Sequence, residues 1–370
     1  MNTKKRASNI ELLRLVAMFL IVWFHSIVHG VSGGFKTQNA IEIMTQHSIV
    51  FQTTQLLSIS GKTGVALFVI ISGYFLINSN FNLDRIKRNW IPTFFYSISG
   101  LVVAYYSGLF PLSFKDFVSA FLPIISNNYW FMTVYMLLIL SMPCLNIIWH
   151  HCKHNQKLFL IGFLGIFNII LPSVNFINYP LNLNTPLILA DYSSQFSIFI
   201  FYYYIGAYIK ELPDNNFINT TLVSLLGIIL SLGGYLLFIT LTYKQGIILN
   251  SADITFNSNR NVWQLNSIFV TIFAISIFLV FKNLPHFHSK IINHLAKATF
   301  GIYLIHDNPF MRQLIWFNIF HMERFATVPF KNFIIQDLKK SCAIFIICLL
   351  IESIRIYLFK TLNFKKRIRS

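Results

Sequence analysis

Charge is what this sequence has least of. Only 11% of its 370 residues are Asp, Glu, Lys or Arg, where an ordinary soluble domain carries about 25%. So few charges cannot cover the surface of a water-soluble globule of this length. Acidic residues are the scarcer sign, 12 against 29 basic ones, which leaves a formal net charge of +17. That excess is not a nucleic-acid footprint, because the Lys and Arg residues sit in short clusters between apolar blocks, where the positive-inside rule puts them. Cysteine is also sparse. Cys144, Cys152, Cys342 and Cys348 have no metal-ligand spacing and suggest no disulfide framework. No Ser/His/Asp triad signature and no glycine-rich phosphate loop is present, so neither a covalent acyl-serine step nor a P-loop nucleotide site is indicated. No repeat, low-complexity tract or proline-rich linker divides the chain, and a single membrane-embedded domain over 1–370 with no appended soluble domain is expected.

What fills the sequence instead is apolar residues, 55% of the total, gathered in blocks close to 20 long. Such blocks match a hydrocarbon core of about 30 Å at about 1.5 Å per helical residue. Ten spans are predicted, at roughly 10–29, 62–78, 91–110, 128–149, 157–172, 194–209, 219–242, 264–281, 297–318 and 338–359. The expected fold class is therefore all-α, a polytopic transmembrane helix bundle. The first span follows Lys4, Lys5 and Arg6 but is too long, and lacks the small-residue cleavage site, for a removable signal. Cations recur at alternate ends: Lys4–Arg6, Arg85–Arg88, Lys153 and Lys157, Lys210, Lys282 and Lys290, and Lys360–Arg369. Both termini are accordingly expected in the cytoplasm, with the chain a multi-pass protein of a bacterial cytoplasmic membrane in contact with its lipids. Segments 43–61 and 111–127 are expected to lie at the outer surface or to re-enter, the latter with Phe114, Phe117, Phe121 and Leu122 at helical spacing.

Four constellations carry candidate chemistry. In the first span Arg14 and His25 are eleven residues apart. At about 100° per residue, eleven steps end about 20° past whole turns, so the two share one helix face, roughly 16 Å apart along the axis. Glu11 lies one turn before Arg14, and His29 one turn beyond His25. A histidine at membrane depth suits a general base, and an arginine at the mouth suits a phosphorylated donor. The same pattern also fits an Arg14 that snorkels to the interface and a His25 that only hydrogen-bonds a neighbouring helix. The second constellation is Phe68-Val-Ile-Ile-Ser72-Gly73-Tyr74-Phe75, followed by Asp84, Arg85, Lys87, Arg88 and Pro92. Its basic group fits either an anionic headgroup or phosphate or plain topology determination. The third is Asn128-Tyr129-Trp130-Phe131 with Tyr135, Pro143 and Asn146, which an interfacial aromatic belt explains as well as a substrate platform does. The fourth is Gly301-Ile-Tyr303-Leu-Ile-His306-Asp307-Asn308-Pro309, a second intramembrane histidine beside a carboxylate; a satisfied polar kink before Pro309 explains it equally well.

Taken in this order on a ten-span chain, Arg14-x10-His25, the 68–75 run with its basic cluster, Trp130-Phe131 to Pro143, and Gly301 to His306 resemble the acyltransferase-3 family of bacterial integral membrane acyltransferases. The resemblance runs from residue 9 to about 310. It implies a polysaccharide O-acetyltransferase type of activity, in which cytoplasmic acyl-CoA, most often acetyl-CoA, gives its acyl group to a hydroxyl of a surface glycan or lipid-linked sugar. It makes His25 the catalytic base and Arg14 the contact to the CoA part of the donor. Arg85 and Arg88 become candidates for the CoA phosphates, and Ser72, Tyr74, Trp130, Tyr303 and His306 for the substrate site. No metal is implied; polysaccharide-synthesis machinery is a possible partner. Two rival functions fit the same span count: a transporter or flippase moving a glycolipid, polysaccharide or acyl group without chemistry, and a scaffold for a glycan-synthesis complex.

Overall fold

The computed structural model describes residues 7–36, 39–108, 111–175, 193–213, 216–252, 255 and 262–369, with side chains as far as Thr361. The described residues are helical throughout, with no strand among them. The helices are α1 (Ser8–His25), α2 (Ala40–Gln46), α3 (Ser48–Leu57), α4 (Ile59–Leu76), α5 (Leu83–Ser107), α6 (Phe114–Phe121), α7 (Trp130–His151) and α8 (His154–Gly165). They continue with α9 (Leu171–Asn175), α10 (Gln195–Glu211), α11 (Thr221–Ile248), α12 (Ile268–Asn283), α13 (Lys290–Leu295), α14 (Thr299–His306) and α15 (Phe330–Arg369).

Among the described residues, six stretches are long and apolar enough to cross a bilayer: Ser8–Phe35, Ser48–Leu76, Trp130–His151, His154–Asn175, Thr221–Ile248 and Phe330–Thr361, with Ile268–Asn283 a shorter apolar helix. Several expected boundaries change. The helical stretch that holds the second span begins at Ser48, with α3 passing through Ser58 into α4, so it takes in the later part of segment 43–61, ahead of which α2 stands apart. Its polar residues Thr54, Gln55 and Ser58 are buried rather than laid on a surface; their hydroxyls bond back to preceding carbonyls, and Tyr235 donates to the Gln55 carbonyl at 2.8 Å. The fifth span gains length because α8 passes through a π-helical turn into α9. The ninth expected span, 297–318, is broken: α14 stops at His306, the chain turns at Asp307–Asn308, and a π-helical stretch resumes at Leu314–Ile319. Proline at 309 supplies no backbone donor, and the preceding residue is forced out of helical geometry. Segment 111–127 carries the short helix α6, with Phe114 and Phe121 exposed.

α4 is the central column. Of the most apolar part of Ser48–Leu76, 78% is buried, against 17% for Phe330–Thr361; the latter presents Ile346, Leu350, Ile354 and Leu358 outward, as a lipid-facing helix does. α4 packs between α1 and α10. The contact with α10 is backbone on backbone: a Cβ at Gly73 would strike the Tyr203 carbonyl, and one at Gly206 the Ile70 carbonyl. This is the small-residue packing that lets helices approach in lipid. On its other side Ser60 donates to the Leu20 carbonyl at 3.0 Å, tying α4 to α1. Between α5, α14 and α15 lies a buried ion pair. Glu352 accepts from Arg355 at 2.7 and 2.6 Å and from the Tyr96 hydroxyl at 2.7 Å.

Candidate active site

The α1–α4 interface opens into a cavity of about 190 Å³, enclosed further by α5, α7 and α14. Five of the site candidates named from the sequence line it, Arg14, His25, Ser72, Trp130 and Tyr303, together with Phe68, Phe131 and Tyr135 of the same constellations. The helical spacing of Arg14 and His25 thus does what a shared face requires, putting both on one wall. At the Arg14 end the lining includes Asn89 and Ser72, and Arg14 itself reaches Glu11 at 3.4 Å and lies 5.9 Å from the centre of the Phe75 ring. The His25 end includes Lys62, whose ammonium sits 3.9 Å above the Trp130 ring. Ser72 donates to the Phe68 carbonyl at 2.8 Å and meets the Tyr135 hydroxyl at 3.1 Å. The Tyr303 ring packs edge-on against Phe131 and Tyr129, and its buried hydroxyl has no hydrogen-bond partner among the described residues.

His306 does not line the cavity; it stands behind His25. Its Nδ1 is 2.6 Å from the Ile302 carbonyl and its Nε2 is 2.9 Å from His25 Nδ1. A carbonyl can only accept, so His306 carries its proton on Nδ1 and, when neutral, offers Nε2 as an acceptor. His25 must then donate through Nδ1–H. The chain of bonds leaves His25 Nε2 with a free lone pair, the state a general base needs. Once Nε2 takes a proton, its nearest counter-charge is Asp307, with Oδ1 at 3.8 Å. Asp307 is almost fully buried, and Arg312 balances its charge through Nε and Nη2, each at 2.8 Å.

Local sequence explains this placement. α1 ends at His25 and widens into a π-helical turn, Ser26–Gly30, a feature found often at functional sites. The turn stacks His29 on His25 at 4.9 Å between ring centres and sets His29 Nε2 3.4 Å from Asp307 Oδ1. Asp337 on α15 pins the same turn from outside the cavity, accepting from Trp23 Nε1 at 2.5 Å and Ser26 Oγ at 2.8 Å.

The sequence matches the family described as an acyltransferase domain, acyltransferase-3, over residues 8–353. The chain belongs to the acyltransferase-3 family. No curated protein and no solved structure matches it.

Besides His306, three residues named beforehand are not brought to the cavity of this acyltransferase. Tyr74 packs on Phe278, 5.4 Å between centres. Arg85 turns to the Asn80 carbonyl at 3.1 Å and to Met142 Sδ, and Arg88 bonds the Asp84 carbonyl at 3.1 Å on the exposed start of α5. Asn89, one residue on, is the part of that cluster that lines the wall. His25, His29 and Asp307 also bring three ligand-type atoms within 4.8 Å of one another. Arg312 already supplies the positive charge at the carboxylate oxygen they would share, and a guanidinium there opposes a cation. Lys62, Asn89, Arg312 and Asp337 were not picked out from the sequence. Lys62 carried a usable signal: it is an ionisable residue inside a spanning helix.

Proposed function

We propose that this membrane acyltransferase moves an acetyl group from cytoplasmic acetyl-CoA to a hydroxyl of a surface glycan or lipid-linked sugar in a bacterial cytoplasmic membrane. One observation carries the reading. One cavity is lined by Arg14 and, about three turns further along α1, by a histidine whose Nε2 lone pair is free. An acyl-CoA also has its phosphates and its thioester at opposite ends of an extended arm, and the axial separation of roughly 16 Å along α1 suits that arm. In this reading both termini are cytoplasmic and ten crossings span the membrane, with the broken α14 segment counted as one. The Arg14 end then faces inward and the His25 end outward, and Arg85 and Arg88 stand near the inner mouth where CoA phosphates enter.

The chemistry follows from the bonds on His25. The acceptor hydroxyl gives its proton to Nε2 as its oxygen bonds to the thioester carbonyl carbon. The imidazolium lies against Asp307, and the oxyanion of the tetrahedral adduct forms beside the wall to which Tyr303 contributes. When the carbon–sulfur bond breaks, the departing thiolate recovers the proton from His25. The products are an acyl ester and free CoA.

The test is alkali-labile ester on surface glycans, read by mass spectrometry in a deletion strain complemented with wild type or with His25→Ala at equal membrane abundance. Esters lost on deletion, restored by wild type and absent with His25→Ala are expected. Full restoration by His25→Ala would remove the base from the scheme, and altered glycan export with unaltered esters would make the protein a transporter.

A further inference from the structure

On the far side of the His25–His29 stack lies a second, open hollow of about 730 Å³, lined by Pro309 and by six further side chains, His29, Arg312, Gln313, Phe317, Asn318 and His321. Like the donor cavity, it has walls that are mostly apolar surface, with polar groups set among them. Five of these six side chains carry nitrogen hydrogen-bond donors, and the sixth, Phe317, offers an exposed ring. The hollow exists because α14 breaks at His306 and the chain wraps back through Leu314–Ile319 and Met322–Thr327 instead of finishing a straight helix.

The charge around this hollow is at odds with its sidedness. In the proposed orientation the outer ends of the ninth and tenth crossings and the turn between them face outside, where cations are depleted. Yet residues 312–340 hold Arg312, Arg324, Lys331, Lys339 and Lys340 against Glu323 and Asp337. Lys340 is explained by structure, since it caps the Phe320 carbonyl and sits 4.5 Å from the Phe325 ring centre. Arg324, Lys331 and Lys339 are exposed. Neither carboxylate on the stretch cancels the hollow itself: Asp337 is buried under Trp23 and Ser26, and Glu323 faces Arg324 at 3.8 Å. The one carboxylate beside the hollow, Asp307, is 1% exposed behind Arg312. Arg312 spends Nε and Nη2 on it, while Nη1 has no partner among the described residues.

We infer that this hollow is the acceptor site and that it selects an anionic sugar, one bearing a carboxylate or a phosphate diester. The inference rests on the acyltransferase reading. The anionic group lies against Arg312 Nη1 and His321, Gln313 and Asn318 bond ring hydroxyls, and Phe317 meets a sugar face. That pose turns another hydroxyl toward the His29–His25 stack, which lies between the two cavities beside Asp307. A charge-assisted bond is roughly twice as strong as a neutral one, so the anion sets affinity while the amides and the ring set orientation.

The test uses the full chain in lipid nanodiscs, with acetyl-CoA as donor and CoA thiol release as readout. Three acceptors of similar length are compared: a galacturonic acid tetramer, a glycerol-phosphate tetramer and maltotetraose. At least one anionic acceptor is expected to show a KM roughly tenfold below that of maltotetraose, and the better of the two names the anion. In Arg312→Gln that preference falls toward unity with KM moving more than kcat. His321→Ala gives the same direction of change should loss of the Asp307 pair unfold the first variant. Equal use of neutral and anionic acceptors overturns the inference and leaves the acyltransferase reading intact. Thiol release that no acceptor stimulates, with acetyl-CoA bound, overturns both.

Discussion

Removing the imidazole of His306 tests the bond chain behind the base without touching the cavity wall. His306→Leu takes away the acceptor for His25 Nδ1–H, which lies 2.9 Å from it. A buried donor left without a partner costs about 1–3 kcal/mol. His25 escapes that cost by shifting its proton to Nε2, which faces Asp307 Oδ1 at 3.8 Å. At about 1.36 kcal/mol per decade, the tautomer with a free Nε2 becomes rarer by about 5- to 150-fold. Because only that tautomer accepts a proton from the substrate, kcat falls by the same factor. KM for acetyl-CoA stays near its wild-type value, since His306 does not line the cavity. His306→Gln restores most of the rate, because an amide oxygen accepts where the imidazole did. The assay is CoA thiol release in nanodiscs under saturating acceptor. A leucine variant within about twofold of wild type, correctly folded, would refute the tautomer argument, as would a glutamine variant as slow as leucine.

Other perturbations separate packing from chemistry. Gly73→Leu drives a side chain into the Tyr203 carbonyl, and detergent-solubilised protein should lose about 3 kcal/mol or fail to insert; an unfolding midpoint equal to wild type would mean α4 and α10 are not in backbone contact. Glu352→Leu strands Arg355 as an uncompensated buried cation, worth about 3–5 kcal/mol, whereas Glu352→Leu with Arg355→Leu should recover much of that loss. Tryptophan-fluorescence unfolding of both decides it, equal instability pointing to shape rather than charge. At the surface, bonds from the Ser113 hydroxyl and backbone hold the Asp116 carboxyl below its usual value of 3.8. Its support for α6 is therefore present above that value and lost as pH falls through the lowered one. Hydrogen exchange of α6 amides should accelerate only on that acid side, and Asp116→Asn should abolish the dependence.

Periodicity alone brought Arg14 and His25 to one wall, because two residues on one helix are related by a fixed angle whatever surrounds them. The family motif likewise reached Ser72, Trp130 and Tyr303. What the sequence hid were relations between helices far apart in the chain. Asp337 touches Trp23 across more than 300 positions, and no spacing rule reports such a contact. Arg85 and Arg88, which the resemblance makes candidates for the CoA phosphates, each bond a backbone carbonyl at the start of their helix and do not line the cavity. The ninth span read as continuous because hydropathy averages over a window. Pro309 marked the break, yet nothing local showed that the return of the chain would build a hollow. The start of the helical stretch that holds the second span was hidden for the opposite reason: Thr54, Gln55 and Ser58 lower its hydropathy, and only the bonds that satisfy them make burial tolerable.

The clasp of Gly73 on Tyr203 sets an order for biogenesis. α4 emerges from the ribosome about 135 residues before the end of α10, which at about 5–20 residues per second is a wait on the order of ten seconds. During that interval one flank of α4 has α1 beside it and the other has only lipid or the insertion machinery. That half-finished pair already carries Arg14, His25, Lys62 and Ser72 at membrane depth, before α7 and α14 arrive to close the wall. An enzyme whose cavity is built on its earliest helices thus exposes its most polar surface to the bilayer for longest. Slowing translation after α4 should therefore make the nascent chain a target for membrane quality control, while slowing it after α10 should not.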